Sequence, residues 1–253
     1  ELILTKGWPT RQGSLTTDAD QAWDVDAPAV ARLREAGAVL FGKTTSPEFG
    51  WKGITDSPLS GVTRNPWNPD YSPGGSSGGA GAAVAAGLGP LALGTDGGGS
   101  IRIPASYCGL FGIKPTFGRV PSWPQDSAYS TLVSSGPLSR NVADAARMLN
   151  VITRPDYRDW YALPPEKVDY LDQLSRRVKG LRIGYSPSLG GAKVTPEVAG
   201  IVAKAIDTFA DLGAHVEIVD DIIEPLRPRF EDYWVAGFAA IYRNVPVGMR
   251  DHL

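Results

Sequence analysis

From Tyr71 to Thr95 the chain carries no charged side chain, a stretch long enough to prompt a transmembrane reading. Lipid is a poor solvent for it. Gly74, Gly75, Gly78, Gly79, Gly81, Gly87, Gly89 and Pro90 leave too little apolar surface for a membrane span. A membrane span is therefore not expected, and the chain is read as globular.

Two glycine–serine knots bound this region, Ser72-Pro73-Gly74-Gly75-Ser76-Ser77-Gly78-Gly79 and Gly94-Thr95-Asp96-Gly97-Gly98-Gly99-Ser100-Ile101-Arg102-Ile103-Pro104. Gly and Ser together usually mean a flexible linker or turn. Each knot is nevertheless tied into apparent structure. Ala80 to Ala86 continues as a small-residue helix, predicted from Ser77 to about Leu88, and Leu91-Ala92-Leu93 reads as a strand before Thr95. Glycines in such a setting can bring backbone amides close to a ligand or a reacting group.

Three chemistries compete for those amides. A phosphate cradle would need a Walker lysine or a G-x-G-x-x-G opening a helix, and neither occurs at the right place. Gly74-Gly75-Ser76-Ser77-Gly78 matches G-x-S-x-G, the nucleophile elbow, whose triad needs a later histidine. His215 and His252 are later, but His215 opens a predicted strand and is read as structural. The third is a serine hydrolase without histidine, with Gly97, Gly98, Gly99 and Ser100 supplying oxyanion-hole amides.

Composition narrows the partners. Of 253 residues 42% are hydrophobic and 21% charged, enough apolar material for a sizeable core and too little charge for disorder. Lys+Arg 25 against Asp+Glu 27 gives a net charge of −2 without a basic cluster, so neither nucleic acid nor a membrane surface is expected as partner. The lone Cys108 sits in an apolar run and is read as a small hydrophobe rather than a nucleophile. One cysteine, two histidines and no clustered ligands predict no metal and no intramolecular disulfide, which points to a cytoplasmic protein.

Helix and strand grammar alternates. A helix is expected after Asp26, its cap, with Pro28 in the first turn, Val30, Leu33 and Ala36 on one face and Gly37 at its end; a buried strand Ala38-Val39-Leu40-Phe41 should follow. Leu181 to Tyr185 reads as a strand, Thr195 caps a helix through Phe209, and His215 to Val219 is another strand after Gly213. A further helix is expected from about Ser139 to Ile152. This predicts an α/β fold with a mixed central sheet sandwiched by helices. Residues 1–153 would form the core with both knots, 154–179 a connecting segment, and 180–253 a second α/β part of the same domain. The chain opens on Glu1 without a methionine and ends on a basic, aromatic segment, so it is read as an internal piece of a longer protein.

The block from Gly74 to Arg119, GGSSGGAGAAVAAG followed by LALGTDGGGSIRIPASYCGLFGIKPTFGRVP, resembles the amidase signature family, as do the flanking GKTTSPEFG from Gly42 and SGPLSRNVADAARML from Ser135. The resemblance implies a Ser-cisSer-Lys triad in which a buried lysine serves as base. Ser100 would be the nucleophile that forms an acyl-enzyme, and Ser76, after a cis bond from Gly75, the proton relay. Gly97, Gly98, Gly99 and the Ser100 amide would form the oxyanion hole, Gly75 would join them in binding the substrate, and Ser77, with Asp96 and Arg102 as a pair, would support the loops. Lys114 would serve the fold. The family's lysine precedes an acidic residue and a Gly-x-Pro-Thr element; Gly7-Trp8-Pro9-Thr10 and Glu1 fit these, which puts the lysine immediately before Glu1. Lys6 is the nearest lysine present, beside Gly7, where the resemblance does not place the base. The implied activity is hydrolysis of a carboxylic amide without cofactor, by a free-standing enzyme or a possible homodimer. A glutamine-hydrolysing amidotransferase component is the sister possibility, although Ile103-Pro104 stands where that protein usually has Gln after Ile-Arg. A non-catalytic relic lacking the base is the remaining alternative. Trp8, Trp51 and Trp67 are candidates for a pocket or for the core.

Overall fold

The computed structural model of the chain describes residues 2–125, 131–219, 224 and 226–252. These divide into two compact units, Glu1–Leu174 with Gly237–Leu253, and Ser175–Ala236. The expected connecting segment is thus split. Residues 154–174 belong to the first unit because Asp156 and Asp159, both buried, bind there: Asp159 accepts from Ser122 N at 2.8 Å and Tyr161 N at 2.8 Å.

In the first unit, helices α1 (Pro28–Glu35), α2 (Gly78–Ala85), α3 (Arg102–Cys108) and α4 (Val142–Ile152) surround an antiparallel sheet. Its strands are β3 (Leu91–Asp96), β4 (Phe111–Gly112) and β5 (Ser134–Ser139), in the order β3-β5-β4; β1 (Asp56–Ser57) and β2 (Gly61–Val62) form a separate hairpin. The register pairs Leu91 with Ser139 and Asp96 with Ser134, so β3 lies along β5 through six residue pairs. Two cores flank the sheet. Ala29, Val120, Met148, Leu149 and Ile152 join α1 to α4, while Ala80, Ile101, Ala105 and Leu138 join α2, α3 and β5. Ile101, next to Ser100 in sequence, is completely buried, so the second serine loop is pinned by the hydrophobic effect at its C-terminal side.

Helix ends follow the expected chemistry with two exceptions, since neither Asp26 nor Thr195 caps its helix through its side chain. Asn141 caps α4 by accepting from Asp144 N, and Gly37 takes φ +80° after α1. Asp26, however, caps nothing. It accepts from Lys6 N at 2.6 Å and pairs with Arg34, because tertiary partners compete successfully for its carboxylate. The strand expected at Ala38–Phe41 is also absent: the segment pairs with no described strand, and Val39 and Phe41 are 85% and 70% exposed. Its β-forming sequence finds no ladder partner.

In the second unit β6 (Arg182–Tyr185) runs parallel to β7 (His215–Ile218), with α6 (Pro196–Asp211) between them in sequence. A short helix, α5 (Tyr170–Gln173), precedes this unit, and α7 (Arg227–Asn244) follows β7. Parallel and antiparallel pairing therefore both occur, in separate sheets rather than one. No described helix is long and apolar enough to cross a membrane.

Candidate active site

The two knots meet. Ser77 N donates to Ser100 O at 3.1 Å, and the Ser77 hydroxyl bridges to β3 by donating to Thr95 O and accepting from Thr95 N, each at 3.2 Å. Ser76 and Ser100 are 2% and 8% exposed, so both expected catalytic serines lie inside the protein within one hydrogen-bonded pair of loops. The peptide bond between Gly75 and Ser76 is cis.

Close backbone approach explains the glycines of the first loop. A Cβ on Gly75 would lie 2.7 Å from the backbone N and C of Ile54, and one on Gly79 would overlap Thr45 N. Only glycine lets these strands of chain touch. Thr55, buried and not singled out from sequence, locks the same loop: its hydroxyl donates to Gly74 O at 2.8 Å and accepts from Gly78 N at 3.2 Å. Nothing in Gly53-Ile54-Thr55-Asp56 signals this, because the contact is made 19 and 23 residues away.

Asp96 organises the second loop. Its carboxylate accepts from Gly99 N at 2.7 Å, Ile101 N at 3.2 Å and Arg102 N at 3.3 Å, and from Arg102 Nε at 2.8 Å and Nη2 at 2.9 Å. Burial opposes its ionisation, but the Arg102 guanidinium and the loop amides outweigh that and hold the carboxyl below its ordinary range. The expected Asp96–Arg102 pair is therefore present, as a bidentate clamp around Ser100. The same contacts modify the expected oxyanion hole. The Gly99 N–H is directed at Asp96, and Gly99 contributes its φ of +122° to the turn instead, which leaves Gly97, Gly98 and Ser100 as the candidate amide donors.

Cys108 is fully buried, its thiol is pushed up by burial, and it faces Pro73 O at 3.7 Å. Lys114 Nζ donates to Pro115 O at 2.7 Å, Lys6 is exposed, and Glu1 lies outside the described residues. His215 is an exposed strand residue in the second unit, and the side chain of His252 is not described. Trp51 and Trp67 are 48% and 71% exposed, and Trp8 lines a cavity of about 700 Å³. Lys43, Ser76, Ser77 and Leu91 border that cavity as well, whereas Ser100 does not. No group of His, Cys, Asp and Glu among the described residues could hold a metal ion.

A helix-flanked α/β frame carrying two interlocked glycine–serine loops is the architecture of the amidase signature enzymes. The family model described as Amidase matches residues 1–247, and the chain belongs to that family. It is 42% identical to an acylamidase of Rhodococcus erythropolis over 96% of this chain and 51% of that protein. It is 44% identical to a glutamyl-tRNA(Gln) amidotransferase component of Synechococcus sp. (strain CC9902), over 87% of this chain and 43% of that one. Among solved structures, a bacterial aryl acylamidase of the amidase signature family superposes with a TM-score of 0.86 at 35% identity, covering 99% of this chain and 54% of that chain. The chain thus spans about half the length of the relatives it matches.

Proposed function

We propose that the natural-length protein hydrolyses carboxylic amides through an acyl-enzyme on Ser100. The observation that carries this reading is the Ser77 N to Ser100 O bond, which holds the two buried serine loops as one unit. In the proposed reaction Ser100 Oγ attacks the amide carbonyl and passes its proton to Ser76 Oγ, which passes its own to a lysine immediately upstream of Glu1. Amides of Gly97, Gly98 and Ser100 stabilise the oxyanion, each such donor being typically worth about 3–4 kcal/mol in serine hydrolases. The C–N bond breaks as the amine leaves with a proton returned along the same path, and water then cleaves the acyl ester. No cofactor enters these steps.

Ile103 favours an acyl amide over glutamine. A Cβ on Gly74 would lie 2.8 Å from its Cγ2 and one on Gly99 2.9 Å from its Cδ1, so an apolar side chain is wedged between the two serine loops. The amidotransferase relatives support glutamine as the second reading. Intact mass after fluorophosphonate treatment of the natural-length protein tests the nucleophile: one adduct, absent from Ser100→Ala, is expected. An unmodified, folded protein would count against the triad. Release of amine from 4-nitroacetanilide, compared with ammonia from glutamine, separates the two substrates.

A further inference from the structure

Lys43 is half-buried in the segment ahead of the first serine loop, and its Nζ donates to Ile3 O at 3.0 Å and to the Thr10 hydroxyl. Between these acceptors the chain reverses, with Thr5 bridged to Trp8, so a single ammonium ties both sides of that turn. Thr10 is 1% exposed, and its hydroxyl has exchanged water for this contact. The segment bearing Lys43 is itself fixed to the serine loop, since Thr45 N stands where a Cβ on Gly79 would clash. On the other side, a Cβ on Gly50 would lie 2.6 Å from Leu2 Cδ1 and 3.4 Å from Ser76 Oγ, which puts Leu2 at the flank of the relay serine. Leu2, Ile3, Lys43 and Ser76 border one cavity.

We infer that Lys43 is a positioning residue: by holding Ile3 and Thr10 it sets residues 2–10 against Ser76, and so sets the alignment of the proton relay. The inference rests on the hydrolase reading above. Its physical basis is that alignment errors of about 1 Å are worth roughly a hundredfold in rate, and that a lysine holding two acceptors on one turn removes such play. Lys43 takes no proton in this account; it acts through the chain segment it holds.

The experiment uses the natural-length enzyme and 4-nitroacetanilide, with Lys43→Met, Lys43→Arg, Thr10→Val and Ser100→Ala compared at a temperature where circular dichroism finds each folded. Lys43→Met is expected to lower kcat by about tenfold to a hundredfold with KM nearly unchanged. Lys43→Arg, which keeps two donors, should recover most of the loss, and Thr10→Val should lose part of the rate without moving the pH limbs. Equal kcat in Lys43→Met overturns the inference. So does an arginine variant as inactive as the methionine one, because that outcome makes Lys43 a proton carrier. If Lys43→Met fails to fold, Thr10→Val and Lys43→Arg decide: an unaltered rate in Thr10→Val, or an inactive folded Lys43→Arg, overturns it. Should Ser100→Ala retain hydrolysis, the acyl-enzyme reading itself fails and the inference falls with it; loss in Ser100→Ala with an unchanged Lys43→Met sinks the inference alone.

Discussion

Ser77 donates its backbone N–H to the carbonyl of Ser100 at 3.1 Å, and its hydroxyl holds both the N–H and the carbonyl of Thr95. One residue therefore fastens the first serine loop to the second and to the strand that leads into it. Removing the hydroxyl in Ser77→Ala leaves the Thr95 contacts unmade in a half-buried setting. It should cost about 1–2 kcal/mol in urea unfolding and slow fluorophosphonate labelling of Ser100.

Thr55→Val keeps the shape and deletes the hydroxyl that spans Gly74 O and Gly78 N. The expected loss is about 1–3 kcal/mol, because a buried acceptor and a buried donor both lose their partner. Thr55→Ser restores the hydroxyl and should recover much of it. A valine variant as stable as the parent by urea titration would mean that the loop holds its form without the clasp.

At Gly75 even one methyl group is too much. An alanine Cβ would approach Ile54 backbone atoms at 2.7 Å, and backbone on both sides can yield only by separating the loop from residues 54–55. Gly75→Ala is expected to lower stability by roughly 1–3 kcal/mol or more and to abolish Ser100 labelling. The melting temperature and the adduct mass check the two effects separately.

Asp96 predicts an acid limit. Its folded-state pKa lies below the ordinary value of 3.8, so its stabilisation is complete above that value and is lost as pH falls below it towards the folded pKa. Asp96→Asn removes that part of the acid dependence. At neutral pH the variant should be less stable by about 2 kcal/mol, a figure kept modest because the Arg102 side chain is 54% exposed. Urea titrations of both proteins between pH 3 and 7 would expose the difference as a shallower slope in the variant.

Cys108 should be inert. With no exposed surface and its thiol raised by burial, it is expected to resist a thiol reagent such as Ellman's until the protein unfolds. Stoichiometric labelling of the native protein would contradict that packing.

Locally punctuated elements were legible. The Pro196 start and Gly213 stop of α6 and the strand run of β7 are properties of neighbouring residues, and these elements form within a few residues of their expected bounds. Strand β5 carried no such signal. Ser134-Ser135-Gly136-Pro137-Leu138-Ser139 has poor β propensity, yet it is the central strand, because β3 and β4 pair with it from either side. Ala38–Phe41 failed in the opposite sense: a strand-forming run stays unpaired among the described residues.

By itself the sequence determined the family, the two serine loops and the Asp96–Arg102 clamp, since these are written in contiguous motifs whose residue types are chemically restrictive. Only the tertiary structure decided that Thr55 clasps the first loop, that the Gly99 amide is turned to Asp96, and that Lys43 holds Ile3 and Thr10. The amide and the ammonium could each have served several acceptors. For the amide the choice was settled by the turn of its own loop, three residues from Asp96, and for the ammonium by segments 33 and 40 residues away being brought within about 3 Å.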